Sequence, residues 1–361
     1  MSSLTDVSST TIAFYIHHHG SGHIMRAITI AGAIKRYPIC FLGSNLQAYS
    51  EMIPDAVECI TLPMDLPGDN ETVLPEQQLS ALHYSPLGVA GIRDRAALLT
   101  SIFQRNYPML LVVDVSVEIA LLARLAGIPS VVMRQHGNRT DLPHRLAYES
   151  AALLLAPFSS DLAPPTDEEW VKNKTVFAGG FSRFSQQQQI HPGAEKPNAI
   201  AVLIGQGGTS INSDFIHCIA ASCRDYTFHI IGHITSAEGK NRDNIIWHGA
   251  VADPFSLLSL CSIVIGNAGH NTVMEMADLN KRFICIPEER PFEEQQQKAG
   301  LLAKNGFARV VQPADLTRIN WQDELAASAM LHPDWSGVTA VDALQQMANA
   351  ITGLADQYFN N

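Results

Sequence analysis

Short apolar runs rich in β-formers alternate with amphipathic helical stretches along this chain, and halfway along the alternation starts again. The first half offers strands at 11–16 (TIAFYI), 38–42, 109–113 and 130–133, with helical apolar spacing over 22–36 and 117–126. The second half offers strands at 199–204, 226–231, 244–247, 261–265 and 282–286, with helices from Ile211, over 270–279 and over 294–305. Strands joined through helices close right-handed parallel crossovers, so each half predicts a doubly wound α/β sheet. At 361 residues the chain has the length of about two domains, and 46% hydrophobic side chains suffice to fill two cores.

The polar, Pro-containing stretch 181–198 reads as a linker. The expected layout is therefore a first Rossmann-like domain at 1–180 and a second at 199–335. A last helix within 336–361 is free to pack back on the first. The Pro- and Gly-rich segment 62–86 lacks periodicity, and a loop that long inside a domain is usually functional.

Charge excludes one class of partner. The net charge is −11, with 24 basic and 35 acidic residues, and neither half is basic. A phosphate backbone needs clustered cations, so nucleic acid is not expected as a partner. No apolar run is long enough to span a bilayer, and the polar start MSSLTDVSST lacks the layout of a secretion signal. Six scattered cysteines without a C-x-x-C pattern read as reduced core thiols. A cytoplasmic protein is expected, and peripheral membrane contact stays compatible with it.

The turn after the first strand, His17-His18-His19-Gly20-Ser21-Gly22-His23, leads into a helix. Open α/β sheets bind ligands at such strand ends. A dinucleotide fingerprint needs a third glycine at position 25, which is Met, and an acid about 20 residues on, where Phe41-Leu42-Gly43 offers none. A zinc site has only His17 and His19 on one strand face, with no H-E-x-x-H or cysteine partner. His23 at a helix start suits a neutral base facing the cleft, and suits equally a buried hydrogen-bonded histidine.

Gly205-Gln206-Gly207-Gly208-Thr209 again joins a strand to a helix and can point several N–H groups at one anion. It is not a Walker A loop, since no Gly-Lys-Ser/Thr follows. A second glycine turn, Gly266 to Thr272, precedes Glu275, whose carboxylate could accept two ribose hydroxyls or simply face water. Glu294 and Gln295 open a further helix, where acids suit the dipole and a polar pair suits sugar hydroxyls.

These residues resemble the GT-B superfamily of nucleotide-sugar glycosyltransferases. The similarity is greatest to the N-acetylglucosaminyltransferase subgroup that makes lipid II in peptidoglycan synthesis. It covers most of the chain and is dense only in the two glycine turns and 266–299. The resemblance implies a functional histidine at His23 and a donor turn at Gly205–Thr209. It implies phosphate and ribose contacts at Gly269, His270, Asn271, Thr272 and Glu275, sugar contacts at Glu294 and Gln295, and a uracil-reading backbone near Val251. It places an acceptor-facing loop at Arg134-Gln135-His136-Gly137-Asn138.

Three departures matter, one of them the acceptor-facing loop, which differs clearly, so the peptidoglycan acceptor is not carried over. The chain has Gly-Gln-Gly-Gly-Thr where that subgroup has Gly-Gly-Ser-Gln-Gly, and His270 where it has a small residue. The segment 20–26 is also similar to nucleotide-sugar hydrolases of nonulosonic acid synthesis, which share the layout.

The expected activity is inverting, metal-independent transfer of a sugar from a nucleotide-diphosphate donor, expected to be UDP-linked, to an acceptor hydroxyl on a glycan, lipid carrier or small molecule. No cofactor and no metal are expected. Helix N-termini at Ile211 and His270 would steady the leaving diphosphate. His23 would take the acceptor proton, aided by Asp114, which could instead cap the following helix. His19, Ser21, His83, Arg134, His136 and Asn138 would line the acceptor side. A nucleotide-sugar hydrolase or epimerase, and a non-catalytic nucleotide-sugar binder, are the alternatives.

Overall fold

A computed structural model of the chain describes residues 10–18, 22–69, 71–74, 79–185, 194–205, 207–234 and 242–360. Two parallel sheets organise it. The first holds β1 (Thr11–Ile16), β2 (Ile39–Gly43), β3 (Val57–Thr61), β4 (Met109–Asp114), β5 (Ser130–Met133), β6 (Leu153–Ala156) and β7 (Thr175–Phe177), in the order β3-β2-β1-β4-β5-β6-β7. The second holds β8 (Lys196–Leu203), β9 (Thr227–Ile231), β10 (Ile245–Gly249), β11 (Cys261–Asn267), β12 (Arg282–Ile286) and β13 (Ala308–Val310), in the order β10-β9-β8-β11-β12-β13. Both orders reverse beside the first strand of their sheet, and a ligand crevice opens at such a switch point.

The central strands are apolar throughout because helices cover both faces of each sheet. MLLVVD in β4 is buried at every position. Around the first sheet lie α1 (Gly22–Ala33), α2 (Ala90–Arg105), α3 (Val117–Leu125), α4 (Leu142–Ser150) and α5 (Glu169–Lys174). Around the second lie α6 (Ser213–Ser222), α7 (Phe255–Leu260), α8 (His270–Asp278), α9 (Glu294–Lys304) and α10 (Trp321–Ala329).

The last helix, α11 (Ala343–Phe359), crosses back to the first sheet. Its Met347, Ala348, Ile351 and Ala355 join Ile12 and Phe14 of β1 and Ile24, Ala27 and Ile30 of α1 in one buried cluster. Ile351 has no exposed surface, and truncating a side chain so placed to Ala costs about 2–5 kcal/mol.

Boundaries shift slightly from the sequence pattern. β8 begins at Lys196 and α6 at Ser213. The helix expected from Ile211 therefore starts two residues later, because Asn212 caps it by accepting from Phe215 N at 2.9 Å.

The loops at the strand C-termini of the two sheets face each other. Asn138 N donates to the Phe292 carbonyl at 2.6 Å, Gly137 N donates to Gln297 Oε1 at 2.9 Å, and the rings of His136 and His270 lie 6.5 Å apart.

Candidate active site

On the first sheet, register sets the chemistry. Ile16 of β1 pairs with Asp114 of β4, so the Asp114 carboxylate lies at the strand end beside the start of α1. Arg26 forks onto it, Nε to Oδ2 at 2.9 Å and Nη2 to Oδ1 at 2.8 Å. His23 Nδ1 lies 3.3 Å from Asp114 Oδ1 and 3.2 Å from Arg26 Nη2. Burial alone would raise the Asp114 carboxyl, but Arg26 and His23 outweigh it and hold it well below the usual carboxylate range.

Asp114 does not cap α3. Ser116 does, accepting from Ile119 N at 3.3 Å. Between them Val115 sits at φ 65°, a left-handed conformation unfavourable for a β-branched residue. That strain lets the chain leave β4 sharply while Asp114 stays at the edge.

On the second sheet, α8 begins at His270 with Gly269 as its cap, and among the described residues no side chain bonds the cap amides. Its first-turn N–H groups thus stand ready for an anion. Burial first, then Lys298 and Arg26, hold the His270 ring well below the ordinary histidine range, so it is neutral. Arg26 of the first domain acts on it across the cleft. Asn271 is exposed and Thr272 half-buried. Glu275 is buried rather than solvated, and Arg183 Nε lies 2.9 Å from its Oε1. Arg183 Nη1 also donates to the Ala252 carbonyl at 3.1 Å, so one side chain bridges Glu275 to the segment that follows Val251. Ser182 and Ser185 beside it both donate to Asp278 at the end of α8.

The glycine turn after β8 is tied down differently from expectation. Glu288 Oε1 accepts from Thr209 Oγ1 (3.0 Å), Ser210 N (2.6 Å), Ser210 Oγ (2.7 Å) and Asn267 Nδ2 (3.0 Å). The hydroxyl of Thr209, a residue of the expected donor turn, thus serves the protein itself. Arg290 Nη2 donates to the Gly207 and Gly208 carbonyls, each at 2.6 Å. Gly208 takes φ 83°, and a Cβ at Gly205 or Gly208 would meet open space. Gln295 is buried with its Oε1 accepting from Glu288 N at 3.0 Å, and Glu294 faces Lys298 at 3.4 Å and Arg139 at 3.9 Å. Burial would raise the Glu294 carboxyl, but those two cations pull it below the ordinary value.

The expected acceptor side divides. Arg134, expected on the acceptor side, is turned into the protein. It is buried, its Nη2 bonds both Asp167 oxygens at 2.7 Å, and it stacks under Tyr148. His136 is buried against Phe158. Asn138 is exposed, and His83 is exposed beside Asp141, His144 and Phe292. His19, Ser21 and Gln206 lie outside the described residues. Sequence reasoning missed Arg26, Arg183, Glu288 and Lys298. Only Arg26 carried a signal, one helical turn after His23.

Among the described residues, one cluster brings metal-ligand atoms within 4.8 Å of one another: His83, Asp141 and His144. It does not fit a metal. Asp141 is shared by His83 Nε2 at 2.9 Å and His144 Nδ1 at 2.6 Å, and Arg139 Nη1 lies 3.0 Å from His144 Nε2. An Arg can only donate, so His144 Nε2 is the lone-pair nitrogen and Nδ1 carries the proton. A metal ligand at Nδ1 needs the opposite tautomer.

Residues 204–331 match the glycosyltransferase family 28 C-terminal domain. The chain is similar to UDP-N-acetylglucosamine--N-acetylmuramyl-(pentapeptide) pyrophosphoryl-undecaprenol N-acetylglucosamine transferases. It is 24% identical to that of Streptococcus pneumoniae (strain Hungary19A-6) over 263 residues, 68% of each chain. It is 25% identical to that of Streptococcus gordonii over 209 residues, 56% of this chain and 58% of the relative. The fold is that of GT-B glycosyltransferases. Acinetobacter baumannii MurG superimposes with a TM-score of 0.60 at 15% identity, covering 96% of this chain and 99% of that one. The kitacinnamycin glycotransferase does so at 0.62 and 14% identity, covering 97% and 98%.

Proposed function

We propose that this chain, a glycosyltransferase by its family 28 C-terminal domain and its GT-B scaffold, moves a sugar from a UDP-linked donor to an acceptor hydroxyl with inversion and without a metal ion. The observation that carries this reading is the pairing of His23 with Asp114 at the edge of one sheet, facing the open N-terminus of α8 at the edge of the other.

Nδ1 has both the Asp114 carboxylate and the Arg26 guanidinium within 3.3 Å; with Arg26 held by its fork onto Asp114, a proton on Nδ1 directed at the carboxylate would leave the Nε2 lone pair for the acceptor hydroxyl. As the acceptor oxygen attacks the anomeric carbon, His23 takes its proton and Asp114 stabilises the imidazolium. The bond from the sugar to the β-phosphate breaks on the opposite face, and its electron pair stays on phosphate oxygen. The α8 amides receive that charge. Glu275 suits the ribose hydroxyls and the Val251 backbone suits uracil. UDP is favoured because the relatives' names carry it.

The carboxylates near the donor turns support a metal-free reading. Glu275, Glu288 and Glu294 are each engaged by protein donors or cations rather than grouped together. No helix among the described residues is long and apolar enough to cross a membrane. Met64, Leu66, Leu74, Tyr84 and Leu87 are exposed in and around the segment 62–86, which suits an acceptor with an apolar part.

The test is a thermal-shift and turnover screen with nucleotide diphosphates and their sugars. UDP at 100 times its Kd should stabilise the fold by about 2.7 kcal/mol. Transfer should require an added acceptor and fail in His23→Ala. Stabilisation by no nucleotide diphosphate would overturn the donor assignment. Free sugar or an epimer without an acceptor would overturn transfer.

A further inference from the structure

Under the first turn of α8 lies a lysine that the mechanism above does not use. Lys298, on α9, has no exposed surface. Its Nζ donates to the Ala268 carbonyl at 3.2 Å, in the turn that opens α8, and meets Glu294 Oε1 at 3.4 Å. An ammonium has three N–H donors, and a buried one needs close pairing to offset its lost hydration. A carboxylate at 3.4 Å, also drawn to Arg139, is a loose partner for a site that water does not reach.

The other charges on this floor are committed. Arg26 is forked onto Asp114. Arg139 is bonded to the His136 carbonyl, Gln135 and His144. His136 and His270 are kept neutral, by burial first and then by Lys298. The His136 Nε2 is buried without a hydrogen-bond partner. The floor between the domains therefore holds an unmet polar atom, His136 Nε2, and a buried positive charge whose counter-ion, Glu294, lies 3.4 Å away and is shared with Arg139. Both lie beside the helix end where an anion is expected.

We propose that Lys298 is the electrostatic positioning residue for the departing diphosphate, fixing the turn at Ala268 and setting a positive charge behind the α8 amides. This rests on the glycosyl-transfer reading. In the step, the acceptor oxygen bonds the anomeric carbon, and the bond from that carbon to the β-phosphate oxygen breaks. The electron pair remains on the phosphate, and the acceptor proton goes to His23. Lys298 keeps its protons and acts by charge alone.

The charged and titratable groups facing it are Glu294 from its own helix, Cys285 of β12, Arg26 of α1, His270 of α8 and His136 after β5. Burial pulls the ammonium below the ordinary lysine value of 10.5, with Glu294 opposing. Its charge is thus lost at a lower pH than that of a surface lysine.

The experiment compares wild type, Lys298→Arg and Lys298→Met. Each is checked for folding by thermal melting, then assayed for transfer across the alkaline range and for binding of UDP and of uridine by calorimetry. Lys298→Met should lower kcat about 10- to 100-fold and weaken UDP about 10-fold, with uridine binding unchanged. The wild-type alkaline fall in kcat should vanish in Lys298→Arg, which cannot deprotonate. A folded Lys298→Met with wild-type kcat and UDP affinity overturns the proposal, as does a folded Lys298→Arg that keeps the alkaline fall. Equal weakening of uridine and UDP also overturns it. A wild type that neither binds UDP nor transfers sugar overturns instead the reading on which it rests.

Discussion

Arg183 closes over Glu275: its Nε lies 2.9 Å from a carboxylate that is buried at the second sheet's edge. Burial raises the Glu275 carboxyl, and Arg183 only partly offsets this. As pH falls, Glu275 therefore takes up a proton before an ordinary glutamate does, and its ability to accept ribose hydroxyls fades. UDP affinity should weaken on the acid side of neutrality. Glu275→Gln should remove that dependence and lower affinity about 10- to 100-fold at pH 7, the equivalent of one hydrogen bond to a charged group. Arg183→Ala should move the acid limb to higher pH. Calorimetric titration between pH 5 and 8 reads all three, and an unaltered Kd in Glu275→Gln refutes the ribose contact.

Asp114 and His23 should separate stability from catalysis. Asp114→Asn leaves the buried Arg26 guanidinium without its counter-charge, at about 3–5 kcal/mol of folding stability. Because the Asp114 carboxyl is depressed in the folded state, its contribution is present above the unfolded value of about 4 and is lost as pH falls below it. His23→Ala removes one partner of Asp114 but leaves the Arg26 fork in place, so it should cost less stability than Asp114→Asn while lowering kcat about 10²- to 10⁴-fold. Urea unfolding at pH 7 and at acid pH, run beside turnover, checks both. A catalytically normal His23→Ala removes the proposed base.

Glu288 joins three neighbouring strand ends, those of β8, β11 and β12, through a single oxygen. Glu288→Ala would strand the Ser210 amide, two hydroxyls and the Asn267 amide group, a loss of about 1–3 kcal/mol after water re-enters. Glu288→Gln keeps an acceptor there and should cost less than half as much. Equal losses in the two variants would show that charge, not the bonds, matters at this position.

The sequence pattern marks β1, β5 and β12 to the residue, because each is an apolar run bounded by turn residues. It does not show β3. VECIT exposes Glu58 and Cys59, and an edge strand needs no continuous apolar run. The His23 and Asp114 ends of the site are legible because strand ends and helix starts can be read locally. Arg183 and Lys298 are not, since Glu275 and Ala268 reach them only through the tertiary fold. Arg134 misleads for the same reason. A cation just past a strand looks solvent-facing until Asp167, far along the chain, folds over it.

Gly137 lies against Phe292 where the two domains meet, and closure of the cleft should depend on this contact. Gly137 has φ 107°, and a Cβ there would fall 2.6 Å from the Phe292 carbonyl oxygen. Phe292 and Glu293 are both left-handed, at φ 60° and 56°, and the bend seats the Phe292 ring among His83, His144 and Arg139. Gly137→Ala therefore strains its own backbone and pushes the two loops apart. Gly300→Ala, in α9 with nothing within 4 Å of the new Cβ, is the matched control and should be neutral or up to about 1 kcal/mol stabilising. Gly137→Ala should raise the radius of gyration in small-angle scattering, raise donor KM and lower kcat, since closure brings His23 to the donor. Phe292→Ala should do the same more weakly, because the half-buried ring goes while the Asn138 bond to its carbonyl stays. If Gly137→Ala matches Gly300→Ala in scattering and in both kinetic constants, closure does not depend on this contact.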